Sequence, residues 1–357
     1  MTALYKMFLA TKGTKRILFC AFCAFLWLIP RLQLAPLLVA AGVMAQTNGE
    51  PPDAPHADIK NQLIQARLYL PDAERGYYRA TRFDWSGIVA SLNFEGHTYF
   101  GRWFDVYDPK LHDSISGPVQ EFVTGLGYDE APPGGTFVKI GVGVLRKPPN
   151  PPARGFFTYD IVDHGKWTVT AHTDAVDFLH EVNDPASGYG YRYKKTVSLT
   201  KNQPQMVLDQ RLESTGRHVI ETEMYDHNFF VIDKQPSGPD FEVTFPFKLT
   251  STTDLRGLAE VRSNRVLYLK ELDADQRIRT ELKGFGSKTS DYDIRVANRK
   301  TGAAVRVRSD QPLSNVVFWS ARTVLSPEAY IRIRVEPGRT MTWKIFYDFS
   351  TVAPGGR

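Results

Sequence analysis

Three stretches of this chain set titratable side chains among aromatic ones. Residues 77–87 read YYRATRFDWSG and place Arg82 and Asp84 among Tyr77, Tyr78, Phe83 and Trp85. Aromatic faces stack on the apolar face of a sugar ring while charged groups bond its hydroxyls, so this mixture suits a saccharide pocket. Aromatic core beside a surface ion pair is the other reading. Residues 212–233 read LESTGRHVIETEMYDHNFFVID and end a strand-like pattern on Asp226, His227 and Asn228, with Phe229 and Phe230 behind them. A histidine at a sheet rim beside a carboxylate can be held protonated near neutral pH, which makes it a usable general acid. A histidine in a polar turn would look the same. Residues 318–328, FWSARTVLSPE, lead to Glu328, placed after Pro327 at the expected start of a strand. Facing an aromatic groove, Glu328 is a candidate base; facing water, it is a solvated strand-end residue.

Other chemistries lack their residues. No phosphate-loop pattern occurs, and Gly125-Leu126-Gly127 lacks the strand-to-helix setting of a dinucleotide site. Neither HExxH nor GxSxG is present. His172 and His180 flank Asp174 and Asp177, but that spacing fits no common metal site and a solvated loop explains it. The expectation is therefore a protein with no metal and no cofactor.

The elements that must position these residues follow an unusual leader. Lys6, Lys12, Lys15 and Arg16 precede an unbroken apolar run of 13 residues, 17–29, and a second apolar run ends on the small residues around Ala45. That order reads as a secretory signal, giving a periplasmic or secreted location. The first run is shorter than the roughly 20 residues needed to span a bilayer, and an uncleaved anchor would be the only route to a membrane. The leader carries five of the 44 basic residues and no acidic one, which leaves 39 basic against 39 acidic residues. The formal charge of +5 thus belongs to the leader, and nothing supports nucleic-acid binding. Cys20 and Cys23, the two cysteines, also lie there, so the remainder has neither disulfide nor thiolate chemistry.

Residues 46–58 are polar and proline-rich and read as a linker. Ile59, Leu63, Ile64 and Leu68 have helical spacing, which predicts a short helix over 59–70. Beyond it, strand signals dominate. Residues 136–145 (TFVKIGVGVL) put Val138, Ile140, Val142 and Val144 on one face of a strand, and 241–247, 330–335 and 341–349 alternate as cleanly. The turn chemistry of Glu336-Pro337-Gly338-Arg339 predicts that the last two runs pair as a hairpin. Further strands are expected at 166–172, 190–199, 205–213, 218–225, 265–271 and 303–308. Ten or more antiparallel strands with 42% hydrophobic residues predict an all-β chain, a large two-sheet sandwich over 59–357.

The three stretches, in this order, resemble the galactose mutarotase-like (aldose 1-epimerase) superfamily over most of residues 70–350. LESTGRHVIETEMYDHNFFVID resembles the family's "L.NTG…I.T..Y.HNFF" stretch, with Ser214 and Asp226 standing where the family usually has Asn. SPEAY followed by EPG resembles the family's "EP…PGE…Y.F" ending. The resemblance implies a large antiparallel β-supersandwich and a catalyst of sugar anomer exchange. It implies His227 as general acid and Glu328 as base. It further implies Arg82, Asp84 and Asp226 as sugar contacts, with Glu121 of GPVQEF, and with His112 as the second pocket histidine. The implied partner is a carbohydrate, an aldose or oligosaccharide, bound by a monomer or homodimer. The alternatives are a non-catalytic carbohydrate-binding protein, or a polysaccharide lyase or hydrolase on the same fold, for which Arg322 and Arg332 are the available cations.

Overall fold

A computed structural model describes residues 53–150 and 156–351. The expected leader over 1–45, and the linker up to residue 52, lie outside the described residues. Among the described residues, regular structure is strand throughout, apart from two 3-10 turns at Ile232–Lys234 and Thr289–Asp291. No helix there is long and apolar enough to cross a membrane.

Two large antiparallel sheets carry the fold. The ten-stranded sheet runs, in spatial order, Ala259–Arg262, Arg265–Tyr268, Phe241–Thr244, Asp293–Asn298, Ala303–Ser309, Thr340–Thr351, Gln205–Ser214, Tyr189–Leu199, Ala175–Asp184, Lys166–Ala171. The six-stranded sheet runs Thr250–Ser251, Ile278–Lys283, Asn315–Ala321, Val324–Val335, Ile220–His227, Val119–Phe122. A four-stranded sheet begins at His56, and a three-stranded sheet is built from Thr136–Lys139, Gly143–Arg146 and Ile161–Asp163. Among the described residues the protein is thus all-β, with two large antiparallel sheets as the alternating pattern predicts, and the large antiparallel β-supersandwich that the resemblance implies.

Burial follows that alternation. In Ala175–Asp184 the even positions Val176, Phe178, His180 and Val182 are buried while their neighbours are half-exposed. Where the two large sheets face each other, Phe122 meets Tyr193 at 5.4 Å and Trp343 at 6.3 Å between ring centroids. Each such buried aromatic or aliphatic side chain contributes roughly 1.5–3 kcal/mol, which is how a cysteine-free domain of this size holds together. A second cluster, including Tyr78, Phe83, Trp85, Phe137 and Phe229, joins residues 77–88 to the three-stranded sheet and to strand ends of the six-stranded sheet.

Four expectations are corrected. Residues 59–70 form no helix: His56–Lys60 and Ile64–Tyr69 pair as antiparallel strands, and the first of them starts inside the expected linker. Leu63 supplied the helical spacing, yet it is exposed at the turn, whereas Ile64, Ala66 and Leu68 are buried with period two. Residues 136–145 are two strands around a turn, because Gly141, in the turn, takes φ +77°, a left-handed angle that a strand does not use. Val324–Val335 and Thr340–Thr351 do not pair. The turn between them carries the chain from the six-stranded to the ten-stranded sheet, and Thr340–Thr351 pairs with Gln205–Ser214 and Ala303–Ser309 instead. Glu328 sits within a strand that begins at Val324, not at its start.

Candidate functional site

Three neighbouring strands of the six-stranded sheet bring the site together. Tyr225 lies opposite Glu121 on one side and Tyr330 on the other. Side chains alternate across a strand, so His227, two residues beyond Tyr225, shares its face, as Glu328 shares that of Tyr330. His227 Nε2 lies 3.3 Å from Glu328 Oε1. Tyr330 donates from its hydroxyl to Glu328 Oε2 at 3.2 Å, and its ring stacks on Tyr225 at 4.3 Å. The imidazole is fixed by aromatic packing: Phe229 stacks on it at 3.6 Å, with Trp319 and Phe83 edge-on at 5.1 and 5.8 Å. Phe229 reaches that position with φ +43°, a left-handed backbone conformation that costs on the order of 1 kcal/mol in a non-glycine residue.

Arg82 comes from outside the sheet. Its loop is pinned by two backbone bonds, Asp84 N–H to Gln120 O at 2.8 Å and Trp85 N–H to Gly141 O at 3.0 Å. Gly141 is required there, since a Cβ would stand 2.5 Å from Asp84 Oδ1. Arg82 donates from Nε to Glu121 Oε2 (2.8 Å), from Nη1 to Asp113 Oδ1 (2.5 Å) and from Nη2 to the Tyr225 hydroxyl (3.0 Å). Tyr225 in turn donates a hydrogen bond from its hydroxyl to Glu121 Oε2 at 2.5 Å. The guanidinium also lies 3.6 Å above the Phe156 ring. His227, Glu328, Arg82, Glu121 and the two tyrosines line one pocket of about 280 Å³, together with Asp113, Trp319 and Arg279. That is near the lower end for small-molecule sites, roughly 300–1,000 Å³.

The electrostatics reverse one expectation. His227 is fully enclosed, and burial, helped by the Arg82 cation, pushes its pKa well below the ordinary imidazole value. Nothing stabilises an imidazolium from behind, because Nδ1 is buried with no partner among the described residues. Burial raises Glu328 to about 8, against the opposing pull of Arg82 and the Tyr330 hydrogen bond. The two form a contact pair, and burial disfavours charge on both, lowering the imidazole and raising the carboxyl, which favours the neutral ring beside the neutral acid. The expectation of a protonated His227 is corrected accordingly: the side chain is enclosed rather than at a wet rim. Around Arg82, burial works against the cation, but Tyr225, Glu121 and Asp113 outweigh it and raise its pKa. Asp113 is held below the usual carboxylate range, where His112 and Arg82 overcome the effect of burial. Burial lowers Lys139, whose Nζ is 3.9 Å from Glu121 Oε1.

The other expected sugar contacts lie elsewhere. Asp226 points to the opposite face from His227, into the space between the sheets, and neither carboxyl oxygen has a hydrogen-bond partner among the described residues. Its pKa rises to about 7: burial is the main cause, Asp84 adds to it, and Lys195 and the Gln120 amide oppose it. The Gln120 amide itself is committed to Gln210 Oε1 at 2.7 Å. Asp84 is also interior, paired with Lys195 at 3.2 Å and bonded by the Ser86 and Tyr193 hydroxyls. His112 stands behind the pocket, 3.1 Å from Asp113 Oδ2, and does not line it. Neither Arg322, exposed and paired with Glu271, nor Arg332 lines it. The pocket residues without a role in the sequence analysis are Asp113, Val123, Phe156, Tyr225, Arg279, Trp319 and Tyr330. The two tyrosines were readable, each being two positions from a candidate on the same strand face. Arg279 and Asp113 arrive from segments with no local signal.

No protein-family model matches the chain, and no curated protein matches it in sequence. Solved structures do match in shape. One is the GalM/aldose epimerase homologue from C. elegans, at TM-score 0.52 and 15% identity, covering 83% of this chain and 99% of that one. A Synechocystis protein matches at TM-score 0.51 and 14% identity, covering 85% and 99%. A galactose mutarotase-like protein from Clostridium acetobutylicum matches at TM-score 0.50 and 12% identity, covering 83% and 95%. With its two facing antiparallel sheets and these counterparts over most of its length, the chain has the galactose mutarotase-like fold.

Proposed function

We propose that this protein is an aldose 1-epimerase-like isomerase that interconverts the α and β anomers of a sugar. The observation that carries the reading is the contact of 3.3 Å between His227 Nε2 and Glu328 Oε1 in an aromatic-walled pocket. Anomer exchange needs one base, to take the proton of the anomeric hydroxyl, and one acid, to protonate the ring oxygen as its bond to the anomeric carbon breaks. The aldehyde then turns and closes on its other face, with the proton count unchanged. Both oxygens are attached to the same carbon, so two groups already in contact can address both at once. A pair holding one proton is one acid and one base. With that proton on Glu328, the carboxyl is the donor and His227 Nε2 the acceptor.

The charge balance supports a neutral sugar. Arg82 is ion-paired with both Asp113 and Glu121, and Arg279 lines the same pocket, so two arginines are matched by these two carboxylates, which leaves no net positive subsite of the kind a lyase of acidic polysaccharides needs. The test is the decay of optical rotation of fresh α-D-glucose and α-D-galactose. The wild-type protein should speed it, and His227→Asn or Glu328→Gln should each cost roughly 10²-fold or more. Near-wild-type rates in both variants would remove the proposal. A non-catalytic saccharide-binding role is favoured by one observation, that three Arg82 donors are already taken by Asp113, Glu121 and Tyr225. Sugar binding without accelerated exchange would decide for it.

A further inference from the structure

The pocket does not end at Phe156. Arg82, Glu121, Val123 and Phe156 also form one wall of a second cavity of about 400 Å³. Tyr128, Phe157 and Tyr159 furnish its aromatic surface. The Phe157 and Tyr159 rings meet edge-to-face at 4.9 Å, and Phe157 is 40% exposed, an unusual state for phenylalanine. Phe156 and Val123, at 53% and 44%, are exposed between the two cavities. Polar groups are interspersed: Asp129, Thr124 and Lys139 line the same cavity. Aromatic side chains beside hydroxyl-bonding ones are what a saccharide ring selects, and these stand next to the acid–base pair, with Phe157 the most exposed of the three rings.

We infer that the protein acts on the reducing end of an oligosaccharide, with the reacting ring beside His227 and Glu328 and the next ring on the Tyr128–Phe157–Tyr159 surface. This rests on the anomer-exchange reading. The chemistry fixes the polarity, because only the reducing-end ring carries a free anomeric hydroxyl and must therefore occupy the His227–Glu328 pocket. Its neighbour, joined through another hydroxyl, extends past Phe156 into the larger cavity. Binding energy from that second ring would be available to hold the first in position.

The test compares kcat/KM for anomer exchange of D-glucose, maltose, cellobiose and gentiobiose by NMR exchange spectroscopy on the full chain. At least one disaccharide should exceed glucose by about tenfold, the scale of one or two aromatic contacts. Phe157→Ala should bring the disaccharide-to-glucose ratio to within about twofold of one, and Phe157→Tyr, which keeps the ring face, should restore it. A ratio near one for all three disaccharides in the wild type, or a ratio that Phe157→Ala leaves intact, overturns the inference. If no sugar exchanges anomers, the proposed function fails, and tryptophan-fluorescence titration then tests the second site separately. Tighter binding of a disaccharide than of glucose, lost in Phe157→Ala, supports it; equal binding overturns it.

Discussion

The two faces of the six-stranded sheet treat buried charge differently. On the inner side, toward the ten-stranded sheet, Asp84 of the 77–87 loop is held by Lys195, Ser86 and Tyr193, while Asp226 has no hydrogen-bond partner among the described residues. On the outer face, His227 and Glu328 are as deeply enclosed but have each other, and they border a cavity. Asp226 and His227 are adjacent in one strand, so the pleat alone sends them to different environments. Burial by itself does not mark a catalytic group. Both sides hold a titratable pair, and what separates them is space for a ligand beside His227 and Glu328.

The interior pair offers the largest effect. Lys195→Met leaves Asp84 buried and uncompensated and should cost about 3–5 kcal/mol in urea unfolding. The double variant Lys195→Met/Asp84→Asn should recover much of that. A loss near zero for Lys195→Met would mean that water reaches this space, and the contrast between the faces would collapse.

On the pocket face, the same burial sets a pH profile. The productive state carries one proton on the pair. Raising pH past about 8 strips it from Glu328 and removes the acid. Lowering pH protonates His227 only well below the usual imidazole range, and removes the base. Activity should therefore hold through pH 6.5 and fall about tenfold per unit above about 8. An alkaline limb near pH 6.5 would instead make the imidazolium the proton donor.

Asp226 sharpens the comparison with a smaller effect. Its folded pKa, about 7, lies above that of an ordinary carboxyl. The folded chain therefore holds this proton more tightly than the unfolded chain does. The stability so gained is full below the unfolded carboxyl range and is lost as pH rises through about 7. Asp226→Asn removes the titration, so it should be roughly 1–3 kcal/mol more stable than wild type at pH 8 and no more stable at pH 4. A stability gain independent of pH would mean that Asp226 is not the titrating group.

Much of this was readable beforehand, for physical reasons. Alternation exposes strands well, because one face of Ala175–Asp184 is buried and the other is not. It does not say which sheet a strand joins, which is why two strands separated by a good turn, Val324–Val335 and Thr340–Thr351, were expected to pair and instead lie in different sheets. Leu63 misled because one exposed leucine at a turn completes a helical pattern. His227, Glu328, Glu121 and Arg82 were found by residue type and motif order. Asp226 is expected in the pocket because it stands where the resembled family has Asn, although period two in the same strand already sends it to the face opposite His227. Protonation was not legible at all, since the pKa values depend on enclosure by Phe229, Trp319 and Phe83, which only the folded chain brings together.

The most direct test of the central claim, that His227 and Glu328 work as one proton-sharing unit, is a double-mutant cycle on glucose anomer exchange. His227→Asn, Glu328→Gln and the double variant should all fall by a similar factor, roughly 10²-fold, because removing either member already disables the pair. Losses that multiply in the double variant would show two independent contributions and contradict the account.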